Sequence, residues 1–351
     1  MKTRGKINTG MLIFILFFAG CFQALARDEY SKVIRKDYQV NPDAQFIVEN
    51  KFGQIHCNNW DKNVISIEVR ITVEASGEAA ANKVMDKISI VTTGTPAQVE
   101  ARTQIEEGSF SGKTKVNVDY TINMPASVSL DATNKFGDIF INELTGKARI
   151  NISYGNLEIN RLDNSDNLLD IKFSKANIQS MKGAVLMLKY SELNLAYAGS
   201  IRLDSKYSNL DADRIISLSG SFEGGKLDME NSSVIDSKSR FSDLSITHIE
   251  KSLSLDIQYG SCDVEEMSAD FTAINVKNKY ANINIGINDA ASYILDASLK
   301  FCDLDFPEDN ANITQKIVTN TSKSYHGTIG KTSSPAAKVN VTSEFGNVSL
   351  E

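Results

Sequence analysis

A phrase recurs down the chain: an aromatic, two small or polar residues, then two apolar residues one apart. It reads Phe136-Gly137-Asp138-Ile139-Phe140-Ile141, then Tyr154-Gly155-Asn156-Leu157-Glu158-Ile159 and Tyr190-Ser191-Glu192-Leu193-Asn194-Leu195. It returns as Phe241-Ser242-Asp243-Leu244, as Tyr280-Ala281-Asn282-Ile283 and finally as Phe345-Gly346-Asn347-Val348. Nine steps from Phe136 to Phe301 average about 18 residues. A unit that short cannot bury its own apolar face, so copies must stack on one another.

Counting from the aromatic as zero, position +3 holds Ile139, Leu157, Leu193, Leu210, Leu244, Cys262, Ile283 and Leu304. Position +5 holds Ile141, Ile159, Ile178, Leu195, Ile246, Val264, Ile285 and Phe306, and +8 is often apolar. Positions −2 and −4 are often apolar too. Alternation at period two marks a strand with one buried face. The run from −4 to zero keeps one parity and +3 and +5 keep the other, so a corner is expected at +1 and +2. Gly, Ser, Asp and Asn there tolerate tight turns. This predicts an all-β chain: a parallel β-helix, or β-solenoid, of about 18-residue coils. Roughly ten coils at 4.8 Å would give a rod near 50 Å long, right-handed by the crossover rule. An antiparallel β-sandwich with regular turns is the alternative. By parity the zero aromatics should stack inward; only if they faced out would they offer stacking for sugars. Gly224-Gly225-Lys226 delays the apolar pair after Phe222 to Leu227 and Met229, which predicts a bulge. The copy at Phe173 is weak, with Ala176 at +3.

Residues 27–125 form a region of another kind, expected to be a β-rich cap before a repeat domain over 126–351. The phrase occurs once there, at Phe52-Gly53-Gln54-Ile55. A helix is predicted over 76–87, capped by Ser76 or Gly77. Strands are expected at Val64–Val73, Ile88–Val91, Val99–Ile105 and Val116–Ile122, with a loop at Gly108–Lys113. A cap protects the first coil from bare edge pairing.

The amino terminus reads as a secretory signal over 1–26. Lys2, Arg4 and Lys6 precede an apolar run from Met11 to Ala19, and Ala24-Leu25-Ala26 is a small-x-small cleavage site. A competing cut before Cys21 would make that residue a lipidation site, because Phe18-Ala19-Gly20-Cys21 resembles a lipoprotein box. Cleavage after Ala26 is favoured, since Phe is not the preferred residue three before the cysteine. Only the lipid-anchored form would be membrane-bound. Removing three cations takes the formal charge from −7 to about −10. An acidic exported rod is a poor fit for nucleic acid. Three cysteines remain, an odd number that excludes a full disulfide framework. Cys57 and Cys262 fall in inward slots, and Cys262 and Cys302 lie two coils apart.

Asn50-Lys51-Phe52-Gly53-Gln54-Ile55, Asn59-Trp60-Asp61, the following strand and helix, and Tyr120-Thr121-Ile122-Asn123-Met124-Pro125 resemble the start of bacterial exported proteins called putative adhesins. That group includes a large family of unknown function and its head-GIN-domain relatives. Asn134-Lys135-Phe136-Gly137-Asp138-Ile139, Gly327-Thr328-Ile329-Gly330 and Phe345-Gly346-Asn347-Val348 are similar to the same family, so the resemblance spans nearly the whole mature chain. It implies an exported β-rich fold and an adhesive role in the periplasm, at the outer membrane or on the cell surface. It brings no catalytic or binding residue with it.

Residues in catalytic or metal-binding patterns are few. His56, His248 and His326 lack partners at metal spacing, with His326 expected in a loop. Asp163-Asn164-Ser165-Asp166-Asn167 faintly resembles a calcium loop but lacks the Gly and terminal Glu of an EF-hand. Position +2 carries Asp138, Asn156, Glu192, Asn209, Asp243, Asn282, Asp303 and Asn347, a polar row expected to be solvated. No nucleotide loop or serine elbow is present. The expectation is therefore a non-enzymatic binding or structural module of the bacterial envelope, with no cofactor and an unidentified glycan or protein ligand. The alternatives are a polysaccharide-active β-helix enzyme, which would need clustered acids, and a periplasmic sensor or accessory protein of a membrane partner.

Overall fold

A computed structural model describes residues 28–106 and 115–351. The signal segment, Cys21 and the loop at Gly108–Lys113 lie outside the described residues. The described residues are all-β with one α-helix, and their strands join in a single mixed sheet that curls around an apolar core.

Each repeat contributes two arms, one before and one after its aromatic. The leading arms pair in parallel: Gln45–Lys51 with Ser129–Lys135, then Ala148–Ser153, then Asn167–Lys172. The trailing arms do likewise, from Ile55–Asn59 to Ile139–Leu144, Asn156–Leu162 and Lys175–Lys189. Equivalent positions stay opposite each other, so Leu157 faces Ile139 and Ala176, and Ile159 faces Ile141 and Ile178. Ala176 is thus in register. Positions +3 and +5 are buried throughout, because alternate residues of a strand point to one side. From Glu192 to Met267 the pairing continues through the corners without a break.

Tier order in space departs from sequence order at both ends. Outside the Phe52 tier, Gln98–Ile105 and Lys115–Met124 add a further parallel layer. Val64–Ala75 then pairs antiparallel with Lys115–Met124 and with Asp28–Gln39. This edge strand carries Lys32, Arg35 and Lys36 flanked by Asp28, Glu29 and Asp37, charges that discourage pairing with other chains. At the other end, Ala337–Glu344 inserts between Ala273–Ile287 and Tyr293–Lys300. The final repeat therefore precedes the Phe301 repeat in space, and Cys262 and Cys302 stand three tiers apart. An antiparallel hairpin, Ala311–Val318 with Ser322–Ile329, covers the last tier.

The helix runs Glu78–Met85 with Gly77 at its amino cap and buries Ala81 and Met85. Strands Val64–Ala75, Ile88–Gly94, Gln98–Ile105 and Lys115–Met124 occupy the expected segments with longer ends. Cys57 and Cys262 are buried free thiols, and burial pushes each pKa up to about 12.

The zero aromatics do not point inward. Every non-glycine residue with positive φ among the described residues is one of them: Phe52, Phe136, Tyr154, Phe173, Tyr190, Tyr207, Phe241, Tyr259, Tyr280, Phe301 and Phe345, at φ 50–64°. Parity carries through to the aromatic only where the backbone stays extended. A left-handed residue breaks that alternation and swings its side chain outward, so the corner lies at zero and +1, one residue earlier than expected. The Phe222 copy is corrected by the same geometry. Phe222 is a buried −2 residue, and Gly224, at φ 68°, holds the corner. A Cβ on Gly225 would lie 2.1 Å from the Ser208 carbonyl oxygen, and the Lys226 amide donates to Asn209 Oδ1 at 3.1 Å. Both contacts join equivalent positions 17 residues apart, so the expected bulge is absent and the tier has a glycine where the others have a ring.

Candidate functional site: an external aromatic column

The eleven left-handed aromatics form a column on the outside of the sheet. Rings stack in the order Phe52, Phe136, Tyr154, Phe173, Tyr190, Tyr207 at 4.9–5.4 Å between centroids and interplanar angles of 2–18°. After Gly224 a second stack runs Phe241, Tyr259, Tyr280, Phe345, Phe301 at 4.9–5.1 Å and 2–5°. Ten of these rings are exposed, from 41% at Phe136 to 65% at Phe241.

The corner does not itself call for an aromatic. A left-handed bulky residue costs about 1–3 kcal/mol, and glycine adopts the same conformation without that cost, as Gly224 does. Stacking returns only about 0.5–1.5 kcal/mol per pair. Local stability therefore gives little reason to keep a ring at eleven corners. Strain repeated at one surface is a mark of function.

The rest of the corner is built to hold that surface. Position +1 is small because the next tier's backbone passes beside it: a Cβ on Gly137 would lie 1.9 Å from the Gly53 carbonyl oxygen. Where +1 is serine, its hydroxyl bonds across the corner. Ser191 Oγ donates to the Lys189 carbonyl at 2.9 Å and accepts from the Ser174 amide at 3.3 Å. Buried Asn134, at −2, donates to the carbonyls of Gly53 and Asp138 at 2.8 and 2.9 Å. Asn278 plays the same part for Ala281. The +2 row caps neighbouring tiers as well as meeting solvent: the Asn156 amide donates to Asp138 Oδ1 at 2.7 Å, and the Asp303 amide to Asn347 Oδ1 at 3.0 Å.

Immediately before the aromatics runs a second column. Position −1 is Lys51, Lys135, Lys172, Lys189, Lys206, Arg240, Lys279 and Lys300 in eight tiers, on a chain of net charge −7. Lysine ammonium groups lie 5.0 Å from the ring centroids of Phe52 and Phe136, 5.9 Å from Tyr190 and 5.7 Å from Tyr280. Lys172 pairs with Asp170, and Lys279 with Glu344. Lys51, Lys135, Lys189, Arg240 and Lys300 have no ion pair among the described residues. Within each stack the ring faces are taken up by neighbouring rings, and solvent meets their edges. An aromatic edge carries partial positive charge, so edges and ammonium groups reinforce one another.

The other candidates remain apart. His56 stacks on Phe140 at 5.4 Å. His248 meets Glu266 at 3.3 Å and Ser268 at 3.0 Å. His326 lies on the strand Ser322–Ile329, not in a loop, 3.6 Å from Asp296. Among the described residues no three metal-ligating side chains converge. In the Asp163–Asn167 turn, buried Asn167 is committed to backbone: it donates to the Gly183 carbonyl and accepts from the Ala148 amide. Asp131, beside Arg149, has its pKa raised, mainly by desolvation. No helix among the described residues is long and apolar enough to cross a membrane.

No family model and no curated protein matches the sequence. Among solved structures the chain is similar to a putative cell adhesion protein from Clostridium sporogenes, at 9% identity and a TM-score of 0.20, over 92% of this chain and 99% of that one. It is also similar to putative adhesins from Parabacteroides merdae, at 12% and 0.32 over 91% and 96%, and from Bacteroides fragilis, at 12% and 0.27 over 91% and 97%. Likenesses of this size carry no argument about role, which rests on the column itself.

Proposed function

We propose that the chain is a non-enzymatic, exported β-solenoid of the bacterial envelope, adhesin-like in role, whose aromatic and lysine columns bind an extended anionic polymer. Residues 1–26 direct export, 27–125 cap the coil and 126–351 carry most of the stripe. The solenoid reading is supported by the parallel register of both arms from tier to tier. The double column carries the binding reading: ring edges and ammonium groups repeat along one line of an otherwise acidic protein. Base stacking on single-stranded nucleic acid needs open ring faces, which the stacks do not offer along their length, so an acidic polysaccharide suits the stripe better.

Purified protein lacking residues 1–26 should retain polygalacturonate and release it as salt rises, while neutral dextran passes through. The quadruple variant K51Q/K135Q/K172Q/K189Q should lose that retention with its fold intact. Equal retention of the variant would sink the reading, and depolymerisation by the wild type would favour an enzyme.

A further inference from the structure

The leading-arm face of the sheet ends, in both directions, in a strand paired on one side only. Among the described residues Ile88–Gly94 pairs only with Gln98–Ile105, beyond the Phe52 tier, and Ala311–Val318 only with Ser322–Ile329, beyond the Phe301 tier. Each offers a row of backbone donors and acceptors to another chain. The edge strand Asp28–Gln39 guards itself with charge, but these two do not. Ile88–Gly94 has no charged residue and Ala311–Val318 has only Lys316. They expose Val91, at 41%, and Ile317 and Val318, at 51% and 54%.

The two edges fit each other. Ala311–Val318 runs with the leading arms, because it is antiparallel to a strand that is itself antiparallel to Tyr293–Lys300. Ile88–Gly94 runs against them, being antiparallel to Gln98–Ile105, which is parallel to Gln45–Lys51. Two copies stacked end to end in one orientation therefore bring these edges together antiparallel, the more stable pairing. The register agrees. Ile317 lies across from Ser324, and Ser324 from Ser298, three residues before Phe301. Val91 lies across from Arg102, and Arg102 from Glu49, three residues before Phe52. In straight continuation Ile317 meets Val91, and Val318 meets Ile90, as cross-strand apolar pairs.

The ends are also stepped and oppositely charged. Among the described residues the hairpin end carries two strands beyond the Phe301 tier on the leading face, and none after Leu304–Asp305 on the trailing face. The cap end carries three strands beyond the Phe52 tier on the trailing face and two on the leading face. The taller trailing face of one end thus fills the shorter trailing face of the other to within one strand spacing. Lys32 and Lys36 stand across from buried Ile71 and Ile67, so they lie on the core side of their strand at the open cap end. At the hairpin end Asp305 and the turn Glu308–Asn310 expose three carboxylates, those of Asp305, Glu308 and Asp309. These lysines and acids have no ion pair among the described residues.

We propose that the hairpin end of one copy docks on the cap end of the next, with Ala311–Val318 adding antiparallel to Ile88–Gly94 and Lys32 and Lys36 facing Glu308 and Asp309. The contact joins unlike surfaces and leaves an unused end on each side, so it propagates into a row of copies. Pairing of like ends, Ala311–Val318 with its own counterpart, would set acid against acid.

Purified protein lacking residues 1–26 should show, in sedimentation equilibrium, a mass that rises with concentration past the dimer. Negative stain should show rods joined end to end. Ile317→Lys and Val91→Lys each place a charge on one exposed edge, and each alone should sediment as a monomer with a wild-type circular dichroism spectrum. Mixed, they should form a dimer that grows no further, because Ile317→Lys keeps a working cap end and Val91→Lys a working hairpin end. K32E/K36E should weaken association about tenfold, and adding E308K/D309K to the same chain should restore it. A wild type that stays monomeric throughout the micromolar range, association of Val91→Lys by itself, or a mixture that forms no dimer would each overturn the contact. No polymer enters these assays, so such a result would leave the stripe reading standing.

Discussion

Phe345 stacks its ring 5.0 Å from that of Tyr280, although the whole Phe301 tier lies between them in the chain. The last strands thus enter between two tiers already laid down by earlier sequence, bonding to both. Deleting residues 331–351 should remove an interior layer and leave two facing edges without partners. The expected outcome is loss of the Tyr280–Phe301 end, seen as new protease cleavage after residue 270 and as self-association in sedimentation, with the Phe136–Tyr207 tiers still protected.

Corners should hold without rings, and Tyr154 is the place to measure it. Tyr154→Gly relieves left-handed strain but gives up stacking on Phe136 and Phe173, so its stability should stay within about 1 kcal/mol of wild type. Tyr154→Val has the same losses and places a β-branched residue at φ 60°, which should cost about 2 kcal/mol or more. Urea midpoints of the two variants provide the comparison.

Asn134 is buried and donates to two carbonyls of neighbouring corners. Asn134→Ala removes the side-chain donor to both; the Ile55 amide still serves the Asp138 carbonyl, so the loss falls mainly on that of Gly53 and should destabilise by about 1–3 kcal/mol. Hydrogen exchange should quicken at the Phe52 and Phe136 corners before it does at the Tyr259 corner.

Stability should fall on the alkaline side. Burial holds the Cys57 and Cys262 thiols and the Tyr120 and Tyr293 phenols neutral, raising each to about 12 from ordinary values of 9.0 and 10.0. The unfolded chain loses these protons first, so the folded state binds more protons between pH 9 and 12. Their stabilising contribution is full below pH 9 and is lost as pH rises toward 12. Urea midpoints at pH 7, 9, 10 and 11 should be level and then decline, and the C57A/C262A variant should decline less between 9 and 10.

Much of the inner frame is legible in the chain. Period-two alternation at +3 and +5 marks the buried positions, and the recurring phrase marks the corners. The side the aromatics face is not legible from parity, because one left-handed residue resets the alternation. A signal was present all the same: Gly224 occupies a corner, and the tier keeps its apolar pair at Leu227 and Met229, which fits a corner conformation that glycine prefers. The basic column at −1 was readable as Lys51, Lys135, Lys172, Lys189 and Lys206, but became meaningful only once the adjacent rings faced out. The threading of Phe345 between Tyr280 and Phe301 was not readable, since identical grammar in every copy leaves their order undetermined. The outer hairpin strand Ala311–Val318 lacks strict alternation and stands mostly in solvent, while its partner Ser322–Ile329 buries Tyr325 and Ile329.

The corner at Gly224 has one further consequence. There the frame has exchanged a phenyl group for a hydrogen atom and kept its register on both sides, so outer chemistry and inner architecture vary independently. The molecule behaves as a graduated ruler with marks about 4.8 Å apart. Each mark can be rewritten by a single codon, and natural variation could tune length, spacing and grip on a polymer without redesigning what holds the ruler straight.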